Sequence, residues 1–213
     1  MEIRFEQVLP APLVDSPLSD QSCWNTSFAL PAGSYVSVTA PSGTGKSTLL
    51  SIIYGLRHDY SGTVFLEGEN IRLLGHEKYC EWRKNRLSMV FQELRLFPQL
   101  SAKDNVMLKL SLTNSIEEAR VDEWFEALGL GNKMKQSCGT LSLGQQQRVA
   151  LIRALVQPFS WLLLDEPFSH LDESNSHKAI ELIRQRLEEN KAGLLVTGLG
   201  NNKYFEYTKH ISV

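Results

Sequence analysis

Thr39-Ala40-Pro41-Ser42-Gly43-Thr44-Gly45-Lys46-Ser47-Thr48 is the stretch on which the reading of this chain turns. An alternating run with Tyr35, Val36 and Val38 precedes it, as a strand would. Leu49, Ile52, Ile53 and Leu56 follow at a spacing that shares one face of a helix. A strand, a tight glycine-bearing loop and a helix N-terminus together make an anion site. Backbone N–H groups converge there, the helix dipole adds roughly half a positive charge, and Lys46 supplies a full one.

The spacing is that of a P-loop, with Ala40 where the first glycine usually stands. A surface turn is the bland alternative. The flanking strand and helix weigh against it.

The rest of the composition narrows the class. A chain of 213 residues suits one domain, or a core carrying an inserted subdomain. Apolar content of 42% with 22% charged residues is that of an ordinary globular protein. A net charge of −2 offers no electrostatic reason to expect nucleic acid as a partner. No apolar run approaches the roughly 18–20 residues needed to span a bilayer, and Met1-Glu2-Ile3-Arg4 does not open a signal peptide. Cys23, Cys80 and Cys138 are too few and too scattered for a metal site or a disulfide framework, so reduced thiols in a cytosolic protein are expected.

Taken in order, Ile3 to Val8 alternates like a strand, and Pro10 to Pro17 reads as a loop. Strands are expected over Trp24–Leu30 and Ser34–Thr39, joined by a Pro31-Ala32-Gly33 turn. A turn at Ser61-Gly62 should precede a short strand over Thr63–Leu66, and Leu87–Phe91 reads as a buried strand. The pattern then becomes helical. Ser115-Ile116-Glu117-Glu118 has the form of a capping box, leading into an amphipathic helix with Val121, Trp124, Phe125 and Leu128 on one face. That helix should end at Gly129 or Gly131. Gln145 to Gln157 is a second helix. Trp161–Leu164 is apolar without alternation, as in a parallel strand covered on both faces. A helix over Ser174–Lys191 and a strand over Leu194–Thr197 complete the alternation. The expected fold is α/β: a mostly parallel sheet with helices on both sides, an N-terminal antiparallel β region, and a helical subdomain inserted at about residues 93–157 between core segments 1–92 and 158–213.

Two further stretches carry chemistry. Asp165-Glu166 closes an apolar strand; an acid there, near bound phosphates, is placed to hold Mg²⁺, and its neighbour to polarise a water in line with the γ-phosphate. The bland alternative is a polar pair that merely ends a strand. In Leu141-Ser142-Leu143-Gly144-Gln145-Gln146-Gln147-Arg148-Val149, a serine and a glycine at a helix N-terminus form a second anion site, against the alternative of an ordinary serine cap.

The P-loop, Gln92 after a strand, Leu-Ser-Leu-Gly-Gln, Leu-Leu-Leu-Asp-Glu-Pro and Ser169-His170-Leu171-Asp172, in that order, resemble the ATPase subunits of ABC transporters over nearly the whole chain. Trp82-Arg83, Met89-Val90-Phe91-Gln92, Leu96-Phe97-Pro98, Asp104-Asn105-Val106 and Gln145–Val149 look closest to the subgroup serving lipoprotein release, macrolide export and cell-division signalling in bacteria.

The resemblance implies a P-loop NTPase core and assigns roles. Ser42, Gly43, Thr44, Gly45, Lys46, Ser47 and Thr48 would hold the phosphates of ATP. Ser47 and Asp165, with Gln92 sensing metal and water, would hold Mg²⁺; Glu166 would be the general base. Ser142, Gly144 and Gln145 would reach ATP on an opposite subunit, and Asp172 would join the two sites. The implied partners are a second ATP-binding domain, identical or not, and an integral membrane permease, at the inner face of the cell membrane.

The chain departs from the family in four places. Ala40 and Leu143 replace glycines, no aromatic residue lies over Pro12–Pro17 to stack on adenine, and Gly198 stands where a histidine usually bonds the γ-phosphate. His210 is expected in the last strand with a structural role. The resemblance implies ATP hydrolysis slowed by the missing histidine. The rival is an ATP-dependent dimerisation switch that hardly hydrolyses. A DNA-repair or chromosome-organising ATPase is disfavoured by the lack of a long coiled-coil insertion or basic surface signal.

Overall fold

The computed structural model describes residues 1–39, 45–198 and 204–213. Ser42, Gly43 and Thr44 of the expected phosphate loop, with Ala40, lie outside them. In chain order the elements are β1 (Ile3–Pro10), β2 (Ser27–Leu30), β3 (Tyr35–Thr39), α1 (Lys46–Ile53), β4 (Tyr60–Leu66), β5 (Glu69–Asn70), α2 (His76–Asn85), β6 (Leu87–Val90), α3 (Ala102–Leu110), α4 (Glu118–Ala127), α5 (Leu143–Leu155), β7 (Trp161–Asp165), α6 (Glu173–Asn190), β8 (Gly193–Gly198) and β9 (Lys209–Ser212).

Two sheets result. β2-β1-β4-β5 is antiparallel and β6-β7-β8-β3-β9 is parallel. The parallel strands are apolar throughout because each face meets a different core. Leu162, Leu164, Leu194 and Val196 point into a core shared with α3, α4, α5 and α6. Trp161, Leu163, Leu195, Val36 and Val38 point into one shared with α1, α2 and the antiparallel sheet. Alternation is present, but both phases are buried, so it cannot be seen as a polar–apolar rhythm.

Three local expectations are corrected. The strand expected from Trp24 begins at Ser27, because Asn25 is left-handed (φ 57°) and its N–H donates to Val8. Gly62 is no turn but lies within β4 at φ 76°, where the β1–β4 register shifts between Glu6 and Leu9; a Cβ on it would sit 2.2 Å from the Gln7 carbonyl oxygen. The capping box at Ser115 does not form. α4 is led by Glu117 without a side-chain cap, and the Ser115 hydroxyl donates instead to the carbonyl of Val156, at 2.6 Å, beyond the end of α5. A free carbonyl at that helix end takes the hydroxyl. Gly129 follows α4 at φ 67°, the left-handed position that ends helices.

Candidate active site

Parallel pairing puts several functional residues at one edge. Thr39 pairs with Gly198, Asp165 with Thr197, and Val90 with Leu164. The P-loop leaves β3, Gln92 follows β6, and Asp165-Glu166 ends β7. All emerge at the carboxyl end of the strands, where α/β sheets bind ligands.

Lys46 is the first residue of α1 and only 6% exposed, behind Gly45 at φ 108°. Its Nζ lies 4.0 Å from Oε1 of Glu166. Asp165 is 4% exposed and accepts from the Thr197 hydroxyl at 2.6 Å. The same hydroxyl accepts from the Glu166 N–H at 3.2 Å. One threonine therefore orients both acids. Glu166 is left-handed at φ 48° and half-buried, which turns its side chain away from the strand direction. Ser47 and Gln92 are exposed.

Ser142, Gly144 and Gln145 come together at the N-terminus of α5, and here the capping box is real. Ser142 Oγ accepts from the Gln145 N–H at 3.3 Å, and Gln145 Oε1 accepts from the Ser142 N–H at 3.0 Å. Gly144 lies against the loop after Glu166; a Cβ would sit 2.6 Å from the carbonyl oxygen of His170. Leu143 is 57% exposed, projecting from the helix start. Asp172 caps α6 by accepting from the Asn175 N–H at 2.8 Å. That bond first, then the Asn175 side chain and Arg148, hold the Asp172 carboxyl below its ordinary range.

Several contacts were not visible in the sequence. Leu13 Cδ1 and Trp24 Nε1 both lie against Gly45, each 3.1 Å from where its Cβ would be. Apolar surface at the start of the P-loop helix therefore comes from an aliphatic side chain and a buried tryptophan, with Val14 and Leu18 exposed nearby in sequence. Arg57 Nη1 donates to the hydroxyl of Thr48 at 3.4 Å while its other nitrogens grip Asp59. Gln147, quoted within the Gln145–Val149 stretch but given no role there, bridges α5 to the loop after β7. His210 is exposed on β9, edge-on to Tyr207. Cys23, Cys80 and Cys138 are free thiols, and burial pushes Cys23 up to about 12.

The profile of the ABC transporter family matches residues 23–169, and the chain belongs to that family as an ATP-binding domain. It is 37% identical over 174 residues to an uncharacterised ABC transporter ATP-binding protein of Thermotoga maritima, covering 80% of this chain and 74% of that one. It is 37% identical over 171 residues to the aliphatic sulfonates import ATP-binding protein SsuB of Bacillus thuringiensis subsp. konkukian. That match spans 80% of this chain and 64% of the relative. Among solved structures, the dimeric bacterial ABC transporter cassette MJ0796 superposes with a TM-score of 0.77 at 28% identity, over 92% of this chain and 87% of that one. A post-hydrolysis dimer of the same cassette with ADP and Pi gives 0.76. Among the described residues, no helix is long and apolar enough to cross a membrane.

Proposed function

We propose that this chain hydrolyses ATP as one half of a dimer and thereby drives a separate integral membrane permease from the inner face of the cell membrane. The observation that carries the reading is the pairing of Lys46 with Glu166 beside Asp165 at the strand ends. An incoming phosphate competes for the Lys46 ammonium. The Glu166 carboxylate, released from that pair, is then free to accept a proton from water. Ser42 to Thr48 hold the phosphates.

The donors available to Mg²⁺ are hard oxygens: the Ser47 hydroxyl, the Asp165 carboxylate and the Gln92 amide carbonyl. Thr197 fixes the orientation of the Asp165 carboxylate, as a ligand to a small octahedral ion requires. An ion held by these residues would supply positive charge to offset that of the ATP phosphates.

Dimerisation is supported by the exposed Ser142 and Leu143 at the head of α5 and by the dimeric MJ0796 cassette. We read residues 93–157 as the helical subdomain that carries this surface. The permease is supported by a groove of about 410 Å³ near Gln92, lined by Tyr54, Phe91, Phe97, Leu108, Lys109 and Arg153 among others. Arg95, Lys109 and Arg153 line it together, so the groove favours a partner bearing a carboxylate. The motifs quoted above support the lipoprotein-release, macrolide-export and cell-division subgroup. The relative named for sulfonate import supports another cargo, and the cargo itself contacts the permease.

Gly198 and Leu143 favour a second reading, an ATP-dependent switch with little turnover. Gly198 lies in an extended strand paired with Thr39, a backbone that any residue adopts. Single-turnover hydrolysis by wild type, Gly198→His and Glu166→Gln separates the two. Slow wild-type turnover is expected, raised by Gly198→His and lowered about 10²–10⁴-fold by Glu166→Gln. A wild type no faster than Glu166→Gln hands the case to the switch.

A further inference from the structure

Gln147 is a side-chain amide only 1% exposed, on the second turn of α5. Its Nε2 donates to the carbonyl of Glu166 at 3.1 Å and to the Ser169 hydroxyl at 3.5 Å. Its Oε1 accepts from the His170 N–H at 3.0 Å. The amide orientation is unambiguous, because an N–H can only meet the oxygen and a carbonyl only the nitrogen. Thr197 holds the N–H of Glu166 and Gln147 holds its C=O, so the left-handed backbone of Glu166 is clamped on both sides. The same helix presents Gly144 to the carbonyl of His170. Arg148 ties its first turn to the flanking helices through Gly144 O, Leu128 O and Asn175 Oδ1, at 3.2, 2.7 and 2.8 Å. The head of α5 and the backbone of Glu166 are therefore one rigid piece.

We propose that Gln147 is a positioning residue for Glu166, transmitting engagement of the head of α5 by the opposite subunit to the carboxylate that activates water. This rests on the hydrolytic, dimeric reading above. Gln147 is buried, and its amide bonds to the Glu166 carbonyl, the Ser169 hydroxyl and the His170 N–H. It sets the peptide from which Glu166 projects. Misplacement of a reacting group by about 1 Å is worth about 10²-fold in rate, with little effect on ground-state binding.

The test uses the full chain with Mg²⁺ and ATP. Gln147→Met keeps the volume and removes all three hydrogen bonds. Gln147→Glu keeps the acceptor for His170 and turns the donor toward Glu166 into a carboxylate oxygen. Both are expected to lower kcat about 10²-fold with KM and calorimetric ATP affinity unchanged, and to bring the Hill coefficient for ATP toward 1. The dimer trapped by ATP in Glu166→Gln is expected to persist when Gln147→Met is added. Wild-type kcat in either variant overturns the proposal. So does a parallel loss of ATP affinity and of the trapped dimer, which marks a merely structural amide. Absence of phosphate release by wild type overturns this proposal and the hydrolytic reading together. Normal wild-type turnover with unaffected variants overturns this one alone.

Discussion

Two helix N-termini in this molecule are candidate anion sites, and they are prepared differently. α1 begins behind Gly45, with no side-chain cap, and its first residue is a buried lysine. α5 begins with a complete capping box, in which Ser142 and Gln145 satisfy each other's N–H groups. Helix ends carry unsatisfied N–H donors. At α1 no cap side chain engages those donors, and the Lys46 ammonium faces the Glu166 carboxylate at 4.0 Å. At α5 they are partly engaged within the chain, so a ligand must compete for Ser142. Under the proposed function the first terminus takes phosphate on its own, while the second becomes useful when another subunit is pressed against it. The proposed reading, in which each subunit holds one ATP that the opposite subunit meets, requires such a difference.

The sharpest way to break the comparison is at α1. Lys46→Ala removes the ammonium and leaves the helix head in place. A charge-assisted hydrogen bond contributes about 1.5–3 kcal/mol, so ATP affinity should fall by about 10–10²-fold for each such bond lost. Thermal stability without nucleotide should change little by comparison. Calorimetry with Mg²⁺ and ATP reads the first quantity. Equal affinity in mutant and wild type removes α1 as the phosphate site.

A smaller effect is expected at Gly144. An alanine there places its Cβ 2.6 Å from the His170 carbonyl oxygen, a backbone atom with little room to yield. Overpacking of this kind costs about 1–3 kcal/mol, which for a chain of this size is a fall in melting temperature of about 2–12 °C. ATP affinity of the isolated subunit at α1 should stay as it is. Loss of that affinity would show that the two termini are not separable in the way the comparison claims. Thermal denaturation and calorimetry on the same sample decide it.

The two termini also show what the sequence could and could not disclose. The strand and helix that flank the expected P-loop needed only local information: the alternation over residues 35–38 and the helical spacing from Leu49 to Ile53. The place of Asp165 at the end of β7 was legible because an acid ends an unbroken apolar run. The capping boxes were not separable locally. Ser115-Ile116-Glu117-Glu118 and Ser142-Leu143-Gly144-Gln145 have the same form, yet only the second makes the bonds. The acceptor that draws Ser115 away is Val156, forty-one positions on in sequence. Gly62 looked like a turn until its partner strand was known, and the contacts of Leu13 and Trp24 with Gly45 arise only in the folded chain. Gln147 stood in a quoted stretch, but its role could not be read, since a buried amide and an exposed one read alike on a helix. Patterns that close within one element were legible, and those completed by a distant partner were not.

The smallest effect expected is at Ser142, and it sharpens the comparison furthest. Ser142→Ala removes the hydroxyl that accepts from the Gln145 N–H, while the bond from the Ser142 N–H to Gln145 Oε1 can persist, because it uses the backbone. Loss of a serine cap costs about 1 kcal/mol, or about 2–4 °C in melting temperature at this size. Ser142→Asp restores an acceptor for the helix end and should recover that stability. It also presents a negative charge where the γ-phosphate of the opposite subunit would arrive. In a Glu166→Gln background, Ser142→Asp should therefore be stable yet fail to form the ATP-bound dimer, while Ser142→Ala should be slightly unstable yet still form it. Light scattering with saturating Mg²⁺ and ATP, beside a thermal melt, reads both. If the aspartate variant dimerises as well as the alanine one, α5 is a capped helix and nothing more, and its head does not meet a phosphate.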